Sequence, residues 1–229
     1  MNTKRMLRSL FWITGVVLVL LGSVTTGASA RSTAHVAAAL ARGGQVIPPQ
    51  EEPKGYSLAN AAAATAYFNT LGFKAPDDIP EDFPFQILYV TDPTTDTSNT
   101  FSVKAGTMFY VPVVQSDDTD AQYWPFPDVT DPAAVSAYYF DPLQLGADFI
   151  RITVDGKMTN LGPEYAVGAE TPGLPSGGNN YTVVAAFLTN LSKGSHTVTI
   201  ASRFSGAFII NAFGGAIEFP TFTYTITVY

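Results

Sequence analysis

Apolar positions change their period along this chain, and each change predicts a different kind of element. Leu10 to Leu21 is an apolar run. From Leu58 to Thr70 the period is that of a helix: Leu58, Ala61, Ala62, Thr65 and Phe68 share one stripe. Ser57 offers an N-cap oxygen, Ala61 to Ala64 have high helix propensity, and Gly72 follows as a stop. The stripe is only weakly apolar, so this helix is expected to lie on a sheet or cap one end of it.

From Phe85 onward the pattern is that of short strands. Phe85 to Val90 is an apolar run, but for Gln86, between Pro84 and the turn Asp92-Pro93. Thr100 to Val103 and Thr107 to Val114 flank Lys104-Ala105-Gly106, which predicts a tight hairpin. Pro112 removes a ladder donor and predicts an edge or a bulge. Asp131-Pro132 places a cap and a first-position proline at the start of a short helix reaching about Phe140. Phe149 to Val154 alternates, with Ile150, Ile152 and Val154 on one face, and Asp155-Gly156 is a hairpin signal. Further strands are expected over Tyr181 to Leu188, His196 to Ala201 and Phe222 to Val228. In the last, Phe222, Tyr224, Ile226 and Val228 face in. Strands at this spacing, with Gly, Pro, Asn and Asp between them, predict a mainly β fold. The expected architecture is an antiparallel β-sandwich, jelly-roll or immunoglobulin-like, with an N-terminal helix and a short inserted one. No solenoid period is visible.

The first run reads as an export signal. Lys4, Arg5 and Arg8 precede it, and Ala28-Ser29-Ala30 follows as a cleavage site, which places the mature start at Arg31. The run is shorter than the about 20 residues a spanning helix requires. The expected organisation is a signal peptide over 1–30, a mobile arm or linker over 31–55, and one sandwich domain over 56–229. The arm is Ala-rich, then contains Gly43-Gly44 and Pro48-Pro49. The predicted location is extracytoplasmic: periplasm, cell surface or medium.

Composition sharpens this. A hydrophobic fraction of 46%, with 16 Phe and 11 Tyr, is ample for a core, and the absence of cysteine excludes disulfides and thiolate chemistry. The predicted leader holds three of the 12 basic residues and none of the 19 acidic ones, leaving nine against nineteen, or −10. That balance argues against nucleic acid as a partner and favours divalent cations.

Several segments together carry a resemblance. Val154-Asp155-Gly156-Lys157, the stretch Leu191 to Ile200 containing Gly194-Ser195-His196-Thr197-Val198, and the closing strand Phe222 to Val228 are the main ones. Gly55-Tyr56-Ser57-Leu58 and Phe85-Gln86-Ile87-Leu88-Tyr89 extend it. The chain resembles a group of secreted bacterial β-sandwich proteins with a Val-Asp-Gly hairpin, a Gly-x-His-Thr-Val strand and a terminal Tyr-x-Ile-x-Val strand. The resemblance implies export and fold, and no activity.

The candidate chemistry gathers in one loop. Asp117, Asp118 and Asp120 repel one another unless solvated or bridged, and such oxygen ligands suit Ca²⁺, although the spacing is not an EF-hand. The bland reading is a solvated acidic loop. Beside it, Tyr123, Trp124, Phe126 and Asp128, stiffened by Pro125 and Pro127, make a candidate platform for a sugar ring; the bland reading is a plug over one end of the sandwich. No catalytic constellation is assigned. His35 and His196 are too few for a zinc site, there is no Gly-x-Ser-x-Gly elbow, and neither Gly177-Gly178 nor Gly214-Gly215 carries a P-loop lysine. His196 is expected to satisfy groups at a strand end.

The functional expectation is a secreted, non-enzymatic binding protein recognising a glycan, envelope component or protein, with no cofactor unless Ca²⁺ occupies the loop. Two alternatives stand beside it. One is a secreted hydrolase using acidic residues of the 115–128 loop; the other is a self-associating envelope protein pairing through an edge strand and the arm.

Overall fold

Ile150, Ile152 and Val154 do point inward, from a strand that spans Ala147–Val154 in the computed structural model, which describes residues 43–229. The predicted signal peptide, His35 and the first part of the arm lie outside the described residues. Ten strands form two sheets that face each other across an apolar core. The first sheet has the order β1-β3-β7-β6, with β1 Gln86–Ile87, β3 Phe109–Asp117, β6 Ala166–Glu170 and β7 Asn180–Leu188. The second has the order β2-β10-β8-β4-β5: β2 Ser98–Val103, β4 Ala147–Val154, β5 Lys157–Asn160, β8 Gly194–Phe204 and β10 Phe222–Val228. The two-residue β9, Ile217–Glu218, pairs with β8. Most pairings are antiparallel. The edge pairs β1 with β3 and β2 with β10 are parallel, so both sheets are mixed.

Among the described residues three α-helices decorate the sandwich. α1 (Leu58–Thr70) begins at Ser57, whose Oγ accepts from Asn60 N at 3.1 Å. It packs on β6 and β7, and its faint apolar stripe reflects a buried face that mixes Leu58, Phe68 and three alanines with Thr65, Asn69 and Thr70. Covered by α1 outside and the second sheet inside, β7 is buried without a break from Tyr181 to Leu188, apolar but for Thr182, rather than alternating. α2 (Pro132–Phe140) is capped by Asp131, which accepts from Ala133 N at 2.9 Å. α3 (Ala207–Phe213), which no period predicts, ends at Gly214 with φ 79°.

Two expectations need correction. β2 and β3 do not form a hairpin. All six residues of β2 are in register with β10, so the turn after Val103 carries the chain from one sheet to the other. Part of the predicted arm is built in: Gly43 and Val46 bridge to Leu191 and Leu188, and Ile47 is buried.

Pro112 disrupts β3 as its missing N–H requires. Pro112 pairs with Ala185 and Val114 with Val184, leaving Val113 as the extra residue of a bulge. On the opposite side β1 pairs only with Phe109 and Tyr110, so that ladder stops before the bulge.

Candidate functional site

The acidic loop turns its carboxylates in three directions. Asp117 ends β3 and caps a 3₁₀ turn (Asp118–Gln122), accepting from Thr119 N at 3.0 Å and from the Thr119 hydroxyl. Asp118 reaches across to the 177–180 loop, accepting from Asn179 N and Asn180 Nδ2, both at 2.8 Å. A Cβ on Gly178 would sit 2.5 Å from Asp118 Oδ1, so a larger residue there would push the carboxylate from this position. Asp120 is fully buried; its Oδ2 accepts from Ser116 Oγ at 2.5 Å and its Oδ1 has no partner. Burial, with the charge of Asp117 adding to it, pushes Asp120 up to about 8, so it holds a proton at neutral pH. The expected convergence of the three on Ca²⁺ is therefore corrected. Among the described residues no group of three or more His, Asp or Glu is placed to hold a metal ion.

The aromatic segment folds inward. Trp124 is only 6% exposed, its ring stacked on Phe208 with centroids 5.8 Å apart and planes 11° from parallel. Its Nε1–H donates to Tyr138 Oη at 3.0 Å, and Ser116 Oγ lies 3.0 Å from the same phenol. An indole N–H taken out of water needs such a partner. Trp124, Tyr138, Ser116 and Asp120 thus form one buried chain that ends on the carboxyl. Phe126 packs edge-on against Tyr138 at 5.6 Å, Tyr123 is half-buried beside Trp124, and the exposed Asp128 accepts from Thr130 N and Oγ1. With Trp124 buried, the segment plugs the sandwich and presents no flat indole face, which corrects the platform expectation.

Two of the three motifs of the resemblance meet in one clasp. Asp155 (φ 49°) and Gly156 (φ 82°) form the β4–β5 turn, and Asp155 Oδ1 accepts from Thr197 N at 2.9 Å. Asp155 Oδ2 faces His196 Nδ1 at 2.6 Å, while His196 Nε2 donates to the Ser192 carbonyl at 2.9 Å. Ser192 Oγ is 3.4 Å from Nε2, which outlines a Ser-His-Asp set. The geometry is not that of a working triad, because Nε2 is committed to a carbonyl and is not free to take the hydroxyl proton. The clasp ties a turn to a strand.

A different place has room for a ligand. Between the sheets, where the β1 ladder stops and β3 bulges, lies a solvent-open cavity of about 100 Å³. Pro112, Val113 and Val114 form one wall; Ile200, Phe222 and Tyr224 form the other; Leu88 and Tyr89 close it. Tyr89 is braced edge-on by Phe68 at 5.0 Å and by Phe101 at 5.6 Å. Its polar lining consists of Asn69, Gln115, Ser202 and Lys74. Asn69 and Gln115 are spent on each other and on Tyr181: Gln115 Nε2 donates to the Asn69 carbonyl at 2.6 Å, and Tyr181 Oη donates to Gln115 Oε1 at 2.8 Å.

Lys74 is the unusual member. It is 7% exposed, and Nζ donates to the Leu71 carbonyl at the end of α1 at 2.7 Å. Among the described residues no carboxylate pairs with it. Asp92 acts on it through its field, yet spends its Oδ1 on Thr94 N and Oγ1. Desolvation lowers Lys74 to about 8 despite that field. Sequence reasoning missed this cavity because its walls come from segments scattered between Asn69 and Tyr224; Pro112 was the one local signal.

No protein-family model matches this chain, and no curated protein does either. Among solved structures, it is similar to the solution structure of Amebosin, with 14% identity over 64% of this chain and all of that one, and a TM-score of 0.25. A likeness of that size carries neither fold nor function. The described residues include no helix long and apolar enough to cross a membrane.

Proposed function

We propose that this protein is an exported, non-enzymatic β-sandwich that binds a small ligand in the cleft between its sheets. The observation carrying this reading is the cavity at the Pro112 bulge, where aromatic and aliphatic side chains of both sheets leave space instead of interdigitating. Interiors are ordinarily packed to crystal density, so a void with a solvent opening and a few polar groups is the default ligand site. Export rests on the signal-like leader, and kinship on the Val-Asp-Gly and Gly-x-His-Thr-Val motifs.

The test uses the mature chain from Arg31 and a neutral ring-sized probe, benzyl alcohol, followed by methyl proton–carbon spectra. Shifts confined to Leu88, Val113, Val114 and Ile200 support the cleft. Val113→Phe, made at the bulge residue that has no ladder partner, is expected to fill the space and abolish those shifts while the fold survives. Shifts centred on the 115–128 loop, or none at millimolar probe, would overturn the reading.

A further inference from the structure

We infer that the cleft selects a small monocarboxylate on an apolar body, with the Lys74 ammonium as its anchor; this rests on the cleft being the ligand site. An ammonium has three N–H donors. Lys74 uses one on the Leu71 carbonyl and has no ion-pair partner among the described residues, although it is 93% removed from solvent. Leaving a buried charge with one neutral acceptor is unfavourable, and the natural remedy is an anion brought by a ligand.

Size and charge narrow the class. At about 100 Å³ the cavity is smaller than the dry engineered cavity of about 150 Å³ that holds benzene, so it takes a short branched chain whole, or one ring that protrudes through its solvent opening. One ammonium balances one negative charge. Ser202 lines the same space, and its hydroxyl is available as a second donor. Neither α1, which presents its carbonyl end here, nor any other lining group adds positive charge, so a dianionic phosphate would be under-neutralised. The walls supply Tyr89, Tyr224, Phe222 and Ile200 for the apolar body.

The titratable groups that face Lys74 are Asp92, through its field, and the phenols of Tyr89 and Tyr224, which burial pushes up and keeps neutral. With Lys74 lowered to about 8, the free cleft is cationic at pH 6.5 and discharged at pH 9.5. Carboxylate binding is therefore strongest on the acidic side of that value.

The experiment compares benzoate, benzyl alcohol and phenyl phosphate by calorimetry on the mature chain, with methyl spectra to locate each probe. Benzoate is expected to bind at least tenfold tighter than benzyl alcohol at pH 6.5. That advantage is expected to shrink at pH 9.5 and to vanish in Lys74→Met, while benzyl alcohol binds wild type and variant alike. Equal affinity for benzoate and benzyl alcohol in the cleft overturns the anchor and leaves the cleft standing. A benzoate preference that survives Lys74→Met also overturns it, as does tighter binding of phenyl phosphate. Absence of every probe from the cleft removes the site itself. Should Lys74→Met not fold, the pH comparison on wild type decides the matter.

Discussion

Lys74 and Asp120 are both buried ionisable residues without a counter-ion among the described residues, yet they sit in opposite surroundings. Asp120 lies in packed protein, its Oδ1 unpartnered and its Oδ2 at the end of the Trp124–Tyr138–Ser116 chain. It meets the cost of burial by holding its proton, with a value near 8. Lys74 borders open space, so a second remedy exists there: a partner from outside. The comparison separates a group that must discard its charge from one that can use it.

The sharpest way to break this comparison is Asp120→Asn. A carboxyl at an ordinary 3.8 when unfolded and about 8 when folded favours the native state fully below 3.8. That contribution is lost as pH rises to 8. Asp120→Asn is therefore expected to raise stability by up to about 5 kcal/mol at pH 8 and to have little effect at pH 3.5. Urea melts across that range read it directly. A wild-type stability that stays level from pH 4 to 8 would mean the acid is solvated.

Lys74→Met comes next. Its folded value is lowered from 10.5 to about 8, so its penalty is full below 8 and relieved as pH rises towards 10.5. Without ligand, the variant is expected to gain about 2 kcal/mol at pH 7, after loss of the Leu71 hydrogen bond, and to gain nothing beyond pH 10.5. A loss of stability at pH 7 would show that Lys74 serves α1 as a cap and little else. Asp155→Ala supplies the paired counterpart: it removes partners from His196 and Thr197 N together and should cost about 2 kcal/mol in the same melts. Smallest is Asp148→Ala, which breaks an exposed 3.1 Å pair with Arg203. It should change the unfolding free energy by less than about 0.5 kcal/mol, because solvent already screens both charges.

Much of the scaffold was legible in the sequence because its signals are local. Ser57 and Asp131 mark their helices, Asp155-Gly156 marks its hairpin, and the Phe222-to-Val228 alternation marks the closing strand. The β2–β3 connection was misread because a short turn containing Gly106 serves a hairpin and a sheet crossing equally well; capture of β2 by β10 decides it. The loop chemistry was misread for a related reason. Residue types placed the acidic and aromatic side chains together, but their partners Tyr138, Asn179 and Phe208 lie 14 to 84 positions away. Lys74 gave no signal at all, since a single lysine in a loop is ordinary until its neighbours are known.

The bulge at Pro112 separates two tasks within one strand. Val113 is spared from ladder duty, so its side chain is free to vary without disturbing the register of Phe109, Tyr110 or Val114. A larger or smaller residue at that single position resizes the space in front of Lys74, and one scaffold can thereby be retuned to a different guest while the sheets keep their order.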